Sequence, residues 1–247
     1  IADVSTKAGA LSISLLAGVG GSVDYVTIAG ETEASVDAAS VDAAGDTTIL
    51  ATSHASINGR SGTVGAGGIA SVVGAASVHL IETVTRAYLG NGSGPFNPTI
   101  RPGQDVTVQA VDHAAIDGNA GSVAGSLVAG VGGSLDVGVI RNSATAEIGQ
   151  GVSLQAGGDV TVDAQATQDV VSYAKGYAIG ALAGIGGSVS AIGIGGGLSG
   201  EAYDEADKAR TTINGLLDLS GGIEGLADDD VSALIEETLS HHSLSVD

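Results

Sequence analysis

The strongest constraint on this chain is that it repeats itself. Ala17 to Ile28 reads AGVGGSVDYVTI and Ala129 to Ile140 reads AGVGGSLDVGVI, with related stretches VVGAASVHLI at Val72 to Ile81 and AGIGGSVSAIGI at Ala183 to Ile194. With the serine after the small-residue pair as marker, Ser22, Ser77, Ser134 and Ser188 are 55, 57 and 54 positions apart. A second marker keeps step with the first: GDTTILA from Gly45, QDVTVQA from Gln104 and GDVTVDA from Gly158, whose Asp46, Asp105 and Asp159 are 59 and 54 apart. Units that cannot close a core alone must stack on their neighbours, so a period of about 55 residues predicts an elongated repeat architecture.

Inside a unit the pattern is β. Val160 and Val162 alternate with Thr161 and Asp163, Val106 and Val108 fall on one face in the same way, and Val152 with Leu154 repeats the pattern upstream. Read with Gly-Gly, Gly-Asp and Asn-Gly as corners, the strands are four to six residues long. Short strands with one apolar face predict a parallel β-helix, or β-solenoid. At roughly 18 to 27 residues per coil, each unit would make two or three coils. Coils stack at ~4.8 Å, which puts equivalent residues of successive units roughly 10 to 15 Å apart. The stretch NGSGPFNPTIRPG, Asn91 to Gly103, holds all three prolines and the only phenylalanine and reads as one loop thrown out of the repeat.

Composition narrows the function classes. The 247 residues include 28 Asp+Glu against 8 Lys+Arg, a net charge of −20 that repels phosphate and argues against nucleic acid as a partner. Cysteine is absent, which removes disulfide scaffolds and thiolate zinc sites. The 43% apolar content is too high for ordinary disorder. Aromatics make up only 2% of the chain, so the interior must be thin and filled by Val, Ile, Leu and Ala. Leu11 to Tyr25 and Ser122 to Ile140 are too interrupted, by Asp24 and Asp136, to be transmembrane helices, and no membrane span is expected. The chain opens at Ile1 with no secretory signal pattern, so it reads as an excised fragment or a mature segment.

The repeat domain is expected over 1–202, followed by an acidic linker and amphipathic helix over 203–247. Asp228 to Asp230 sit at the start of Leu226 to Leu239, and Val231, Leu234, Ile235 and Leu239 form one apolar stripe. This short α-helical segment reads either as a cap across the solenoid or as an insertion.

AEIGQGVSLQAGGDVTVDA (Ala146 to Ala164) followed by AGIGGSVSAIGI (Ala183 to Ile194) resembles the shafts of filamentous-haemagglutinin-like and leukotoxin-type repetitive surface adhesins of Gram-negative bacteria. The resemblance covers roughly 1–202. It implies a right-handed parallel β-helix, secretion to the cell surface and a role in adhesion or spacing, with no catalytic residues.

Candidate chemistry is sparse. His54 and His113 lie at the same offset from Asp46 and Asp105, with Thr167 in the third unit; one unit apart, their rings would be stacked or solvated face residues rather than shared metal ligands. His79 is read as replacing Asp24 and Asp136, and His241-His242 lies in the tail. Calcium is carried as a candidate cofactor at Asp204, Glu205 and Asp207, although the repeat signature G-G-x-G-x-D-x-U-x is absent. Gly195 to Gly200 matches a nucleotide fingerprint only through its glycines. For sugar binding, which favours aromatic platforms, the candidates are Tyr173, Tyr177 and Phe96.

The expected function is a non-enzymatic structural and adhesive segment of a surface protein, outside a Gram-negative cell. Its expected partner is a surface glycan or protein of a host or neighbouring cell, or another copy along the rod. A carbohydrate-binding or carbohydrate-active β-helix is the alternative. An ice-binding solenoid is the third reading, resting on Thr47, Thr107 and Thr161 once per unit.

Overall fold

The computed structural model of the protein describes residues 1–37, 39–90 and 99–195. Every element within them is a strand: β1 (Ala2–Ser14), β2 (Ala17–Asp37), β3 (Val41–Ala43), β4 (Thr47–Gly67), β5 (Ala70–Gly90), β6 (Thr99–Pro102), β7 (Val106–Ser126), β8 (Ala129–Ile148), β9 (Ser153–Leu154), β10 (Val160–Gly180) and β11 (Ala183–Ile194). All pair in parallel. Sheet A runs β1-β4-β7-β10, sheet B runs β11-β8-β5-β2, and the short sheet C runs β3-β6-β9. The chain crosses sheet A, turns through two residues, returns through sheet B, and passes along sheet C into the next coil. The fold is all-β and solenoid-like.

Each sequence unit is one coil, not two or three. Ala2 pairs with Ala55, Thr48 with Thr107 and Thr107 with Thr161, so equivalent residues are direct ladder neighbours about 4.8 Å apart. The main strands are also far longer than four to six residues; β2, β4, β5, β7 and β10 each have 21. The physical reason is that Gly20-Gly21, Gly132-Gly133 and Gly186-Gly187 lie inside strands rather than at corners. In β2 the alternation of buried and open positions continues straight through Gly20-Gly21.

The glycines serve a taper. Sheets A and B converge toward the two-residue turns, where a Cβ on Gly132 would lie 2.5 Å from the Tyr177 carbonyl oxygen and one on Gly176 would lie 2.2 Å from that of Gly187. Large side chains fill the opposite, wide end. The cross-section is therefore a wedge, with sheet C as its base and the turns as its tip.

Walking inward-facing positions along β7 from base to tip shows how the interior is layered. Val106, Val108 and Ala110 join Ile49, Leu89 and Ile100 in the base cluster. Asp112 comes next, buried, and accepts hydrogen bonds from Thr83 (3.1 Å), Thr85 (2.7 Å) and Asn142 (2.9 Å). Ala114 and Ile116 then join Ile57, Ile81 and Ile140 in a second apolar cluster. Beyond them lies a second polar layer around Asp24, His79 and Asp136, and then a narrow zone where Ser22 bonds Ser61 (2.8 Å) and Thr63 (2.7 Å) across the sheets. The acidic residues do not all alternate outward along the strands: Asp24, Asp112 and Asp136 point inward and are buried, because hydroxyl, amide or imidazole groups meet them there.

The Asp46, Asp105 and Asp159 marker has a structural cause. Asp105 N–H donates to the Asp46 carboxylate (3.1 Å) and Asp159 N–H to the Asp105 carboxylate (2.8 Å), stapling successive coils where each enters sheet A. The proline-rich stretch is not wholly expelled. Thr99–Pro102 returns to the ladder as β6, because Ile100 is buried in the base cluster and Gly103 N–H, rather than the proline, bonds the Ala43 carbonyl (2.7 Å). Pro95, Phe96 and Pro98 lie outside the described residues. So do the domain boundary at 202 and the whole of 203–247, including the helix expected from Leu226 and His241-His242.

Candidate binding trough and internal polar layer

Outward positions near the middle of sheet A line up in columns. Gly9, Gly62 and Gly121 are register neighbours, and in the fourth coil the same column ends on Lys175. Lys7, Arg60, Asn119 and Tyr173 form the adjacent column on the base side, and Leu11, Val64, Val123 and Tyr177 the one on the tip side. The glycine column is consequently the floor of an open trough of about 540 Å³ that runs along the solenoid axis. Three of the chain's eight basic residues line it.

Of the three residues expected to bind sugar, Tyr177 lines the trough, and Tyr173 stands in register with Asn119 beside it. Tyr173 and Tyr177 are 52% and 56% exposed, and Lys175 Nζ stands 5.7 Å from the Tyr173 ring centroid. Phe96, the third, lies outside the described residues, as do the calcium candidates Asp204, Glu205 and Asp207. Among the described residues no group of three or more His, Asp or Glu is placed to hold a metal ion. The basic wall was the part sequence reasoning missed. Lys7, Arg60 and Lys175 look scattered along the chain, and only the register shows that they share one face.

Further toward the base on the same outer face, His54 and His113 stack at 4.8 Å between ring centroids with 13° between their planes. His113 Nδ1 is 2.9 Å from Thr167 Oγ1, and Asp3 and Asp169 lie near the two outer ring nitrogens at 3.6 and 3.9 Å. The stacked-face expectation holds, with the rings one rung apart.

The buried layer differs from its sequence reading. Register aligns Asp24 with Ser77, Ser77 with Asp136 and Asp136 with Ser190, whereas His79 stands opposite Val26 and Gly138. Ser77, not His79, therefore takes the place of the aspartates. The serine column is corrected likewise to Ser22, Ala75, Ser134 and Ser188, with spacings of 53, 59 and 54. Applying the 59 and 54 of the Asp46 marker to Asp136 would have found Ser77 from the sequence. The threonine column shifts by one position, with Thr48 rather than Thr47 beside Thr107 and Thr161.

Alternating acid and hydroxyl along this column keeps Asp24 and Asp136 two rungs apart, and His79 fills the gap between them. His79 Nε2 lies 3.4 Å from Asp24 and 3.1 Å from Ser77 Oγ; its Nδ1 lies 4.0 Å from Asp136 Oδ1. Thr6 donates to Asp24 (2.8 Å) and Ser172 donates to Asp136. Glycines opposite make the room: a Cβ on Gly59 would fall 1.8 Å from His79 Nε2, and one on Gly118 2.5 Å from Asp136 Oδ2. Burial raises the Asp136 carboxyl above its ordinary value, against the lowering effects of the Ser172 hydrogen bond and the His79 charge. Ser, His and Asp together are also the residue types of a hydrolytic triad. Here Ser77 and His79 have no solvent exposure, and the group is an interior polar layer spanning the coils.

Compared with protein-family models, with curated proteins and with solved structures, the chain matches none.

Proposed function

We propose that the chain is a non-enzymatic structural and adhesive segment of a bacterial surface protein, a stiff solenoid shaft whose side faces make contacts. The observation that supports it is the uninterrupted ladder: four coils pair in register through both long sheets, and even the turns and the Asp46 corner are bonded from coil to coil. Such a stack resists bending and presents repeated side-chain columns at a fixed spacing. A membrane-impermeant amine reagent applied to intact cells of the source bacterium is expected to label Lys7 and Lys175. Labelling only after lysis would overturn the surface location.

A specific observation favours carbohydrate as the contact. Gly62 has no atom within 4 Å of a Cβ added to it, and Gly9 and Gly121 meet only carbonyl oxygens at 3.7 and 4.0 Å. Packing does not require glycine at these three places, although glycine weakens a strand. What the glycines do provide is the trough floor between Tyr177 and the Lys7-Arg60 wall. Glycan-array binding that is lost in Tyr177→Ala and in Gly62→Val is the expected result. Binding unaffected by filling the floor would place the contact elsewhere.

A further inference from the structure

We propose that the tip of the wedge is a lipid-contacting edge, which seats the solenoid on a phospholipid bilayer with its axis parallel to the surface. The inference is independent of what the trough binds. It starts from charge segregation. The chain carries −20 overall, yet residues 8–23, 61–78, 118–135 and 176–195, which form the tip of the four coils, contain no charged residue.

The turns themselves are apolar where a surface turn is ordinarily polar. Leu15 is 92% exposed, Leu127 72% and Leu182 82%, with Leu16, Ile69 and Val128 beside them. One such turn per coil makes a continuous aliphatic ridge. Single exposed apolar residues are unremarkable, but a contiguous ridge marks a contact surface.

Three physical features favour lipid as the occupant. First, the backbone of the turns is already bonded from coil to coil: Ile69 and Ala70 N–H donate to the Leu16 carbonyl (2.8 and 3.1 Å), Val128 and Ala129 to Ile69 (3.2 and 3.1 Å), and Leu182 and Ala183 to Val128 (3.1 and 3.0 Å). These donors need no water, which is the condition for entering an apolar phase. Second, the ridge is narrow and convex, each turn being two residues long with Leu15, Ile69, Leu127 and Leu182 at the apex. Two convex edges bury little of each other, whereas acyl chains close around such a shape. Third, the charges are graded. At about 3.3 Å per residue, the nearest outward carboxylate of the described residues, Asp117, stands about 33 Å back from Leu127, several Debye lengths at physiological salt. Among the described residues, the first outward charges met are Lys7, Arg60 and Lys175, about 20 to 26 Å from the turns. A strongly acidic protein can thus approach an anionic headgroup surface by its neutral edge, cations first.

The chain has no tryptophan, which allows a clean reporter. Leu127→Trp at the ridge and Thr48→Trp at the base would each be mixed with vesicles of phosphatidylcholine, alone or with one part in three phosphatidylglycerol. The ridge tryptophan is expected to shift its emission to the blue on both, and the base tryptophan on neither. In co-sedimentation, the triple variant Leu15→Ser, Leu127→Ser, Leu182→Ser should lose at least tenfold in bound fraction while keeping the parent's circular dichroism, since all three side chains are exposed. Lys7→Gln with Lys175→Gln should erase the preference for the anionic vesicle. Failure of the parent chain to bind either vesicle, or undiminished binding by the triple variant, overturns the proposal. So does a dimer in sedimentation velocity that the triple variant dissociates while vesicle binding is absent, which would assign the ridge to a second copy.

Discussion

Asp136 is the residue at which composition and structure disagree most. A solvated acidic coat has no need of it, and it stands instead inside the wedge, with Oδ1 lacking a hydrogen-bond partner among the described residues. Its carboxyl is held above the ordinary 3.8 by burial. The folded state therefore binds this proton more readily than the unfolded state, so stability falls as pH rises from 3.8 through the raised value, and the full cost is present above it. Asp136→Asn is expected to raise the Tm at neutral pH, with the gain shrinking as pH falls toward 3.8. Thermal melts across that range check the slope, and a Tm lowered at neutral pH would show that the charge is net stabilising through His79. The glycines make a sharper steric test. Gly59→Ala puts a Cβ 1.8 Å from His79 Nε2 and is expected to destabilise by about 1–3 kcal/mol, whereas Gly30→Ala meets nothing within 4 Å and should be neutral or stabilise by about 0.4–1 kcal/mol in urea unfolding. Both are strand glycines of the repeat. The difference between them lies in what faces them across the core, which local sequence does not display.

At the scale of elements, the alternation of Val106 and Val108, and of Val160 and Val162, was legible as strand because a period of two is a local property. Strand length was not. Gly20-Gly21 carries the same local signal whether it turns the chain or lets two sheets approach, and the inference from glycine to corner cut each 21-residue strand into pieces. β6 was missed for the opposite reason: Pro95, Pro98 and Pro102 mark a loop by their backbone chemistry, while Ile100 belongs to the base cluster through contacts made with distant residues. Ile100→Ala is accordingly expected to cost about 2–5 kcal/mol, a core-sized loss from a four-residue strand. A loss under about 0.5 kcal/mol would mean that sheet C contributes no more than an ordinary surface position.

For the whole molecule, stability follows the number of neighbours a coil has. β7 and β8 are paired on both sides, whereas β1 and β2 are paired on one. Amide exchange should be slowest in β7 and β8 and measurably faster in β1 and β2, as nearest-neighbour stacking requires. Uniform protection across all coils would indicate one cooperative unit instead. The two polar layers bear on the same question, since Asp112 and the His79 group are bonded to side chains of adjacent coils and would be uncovered by any slip in register.

The repeat, its strand character and the aliphatic residues of its apolar layers were determined by the sequence alone, because each depends on residue type and spacing along the chain, whereas the buried polar layers between them were not. How many coils a unit makes, which residues stand in one column, and that Lys7, Arg60, Lys175 and Tyr177 share a trough were decided by the tertiary structure. These depend on ladder register, and register is set by the sum of contacts across a wedge whose two sheets meet only when the chain is folded.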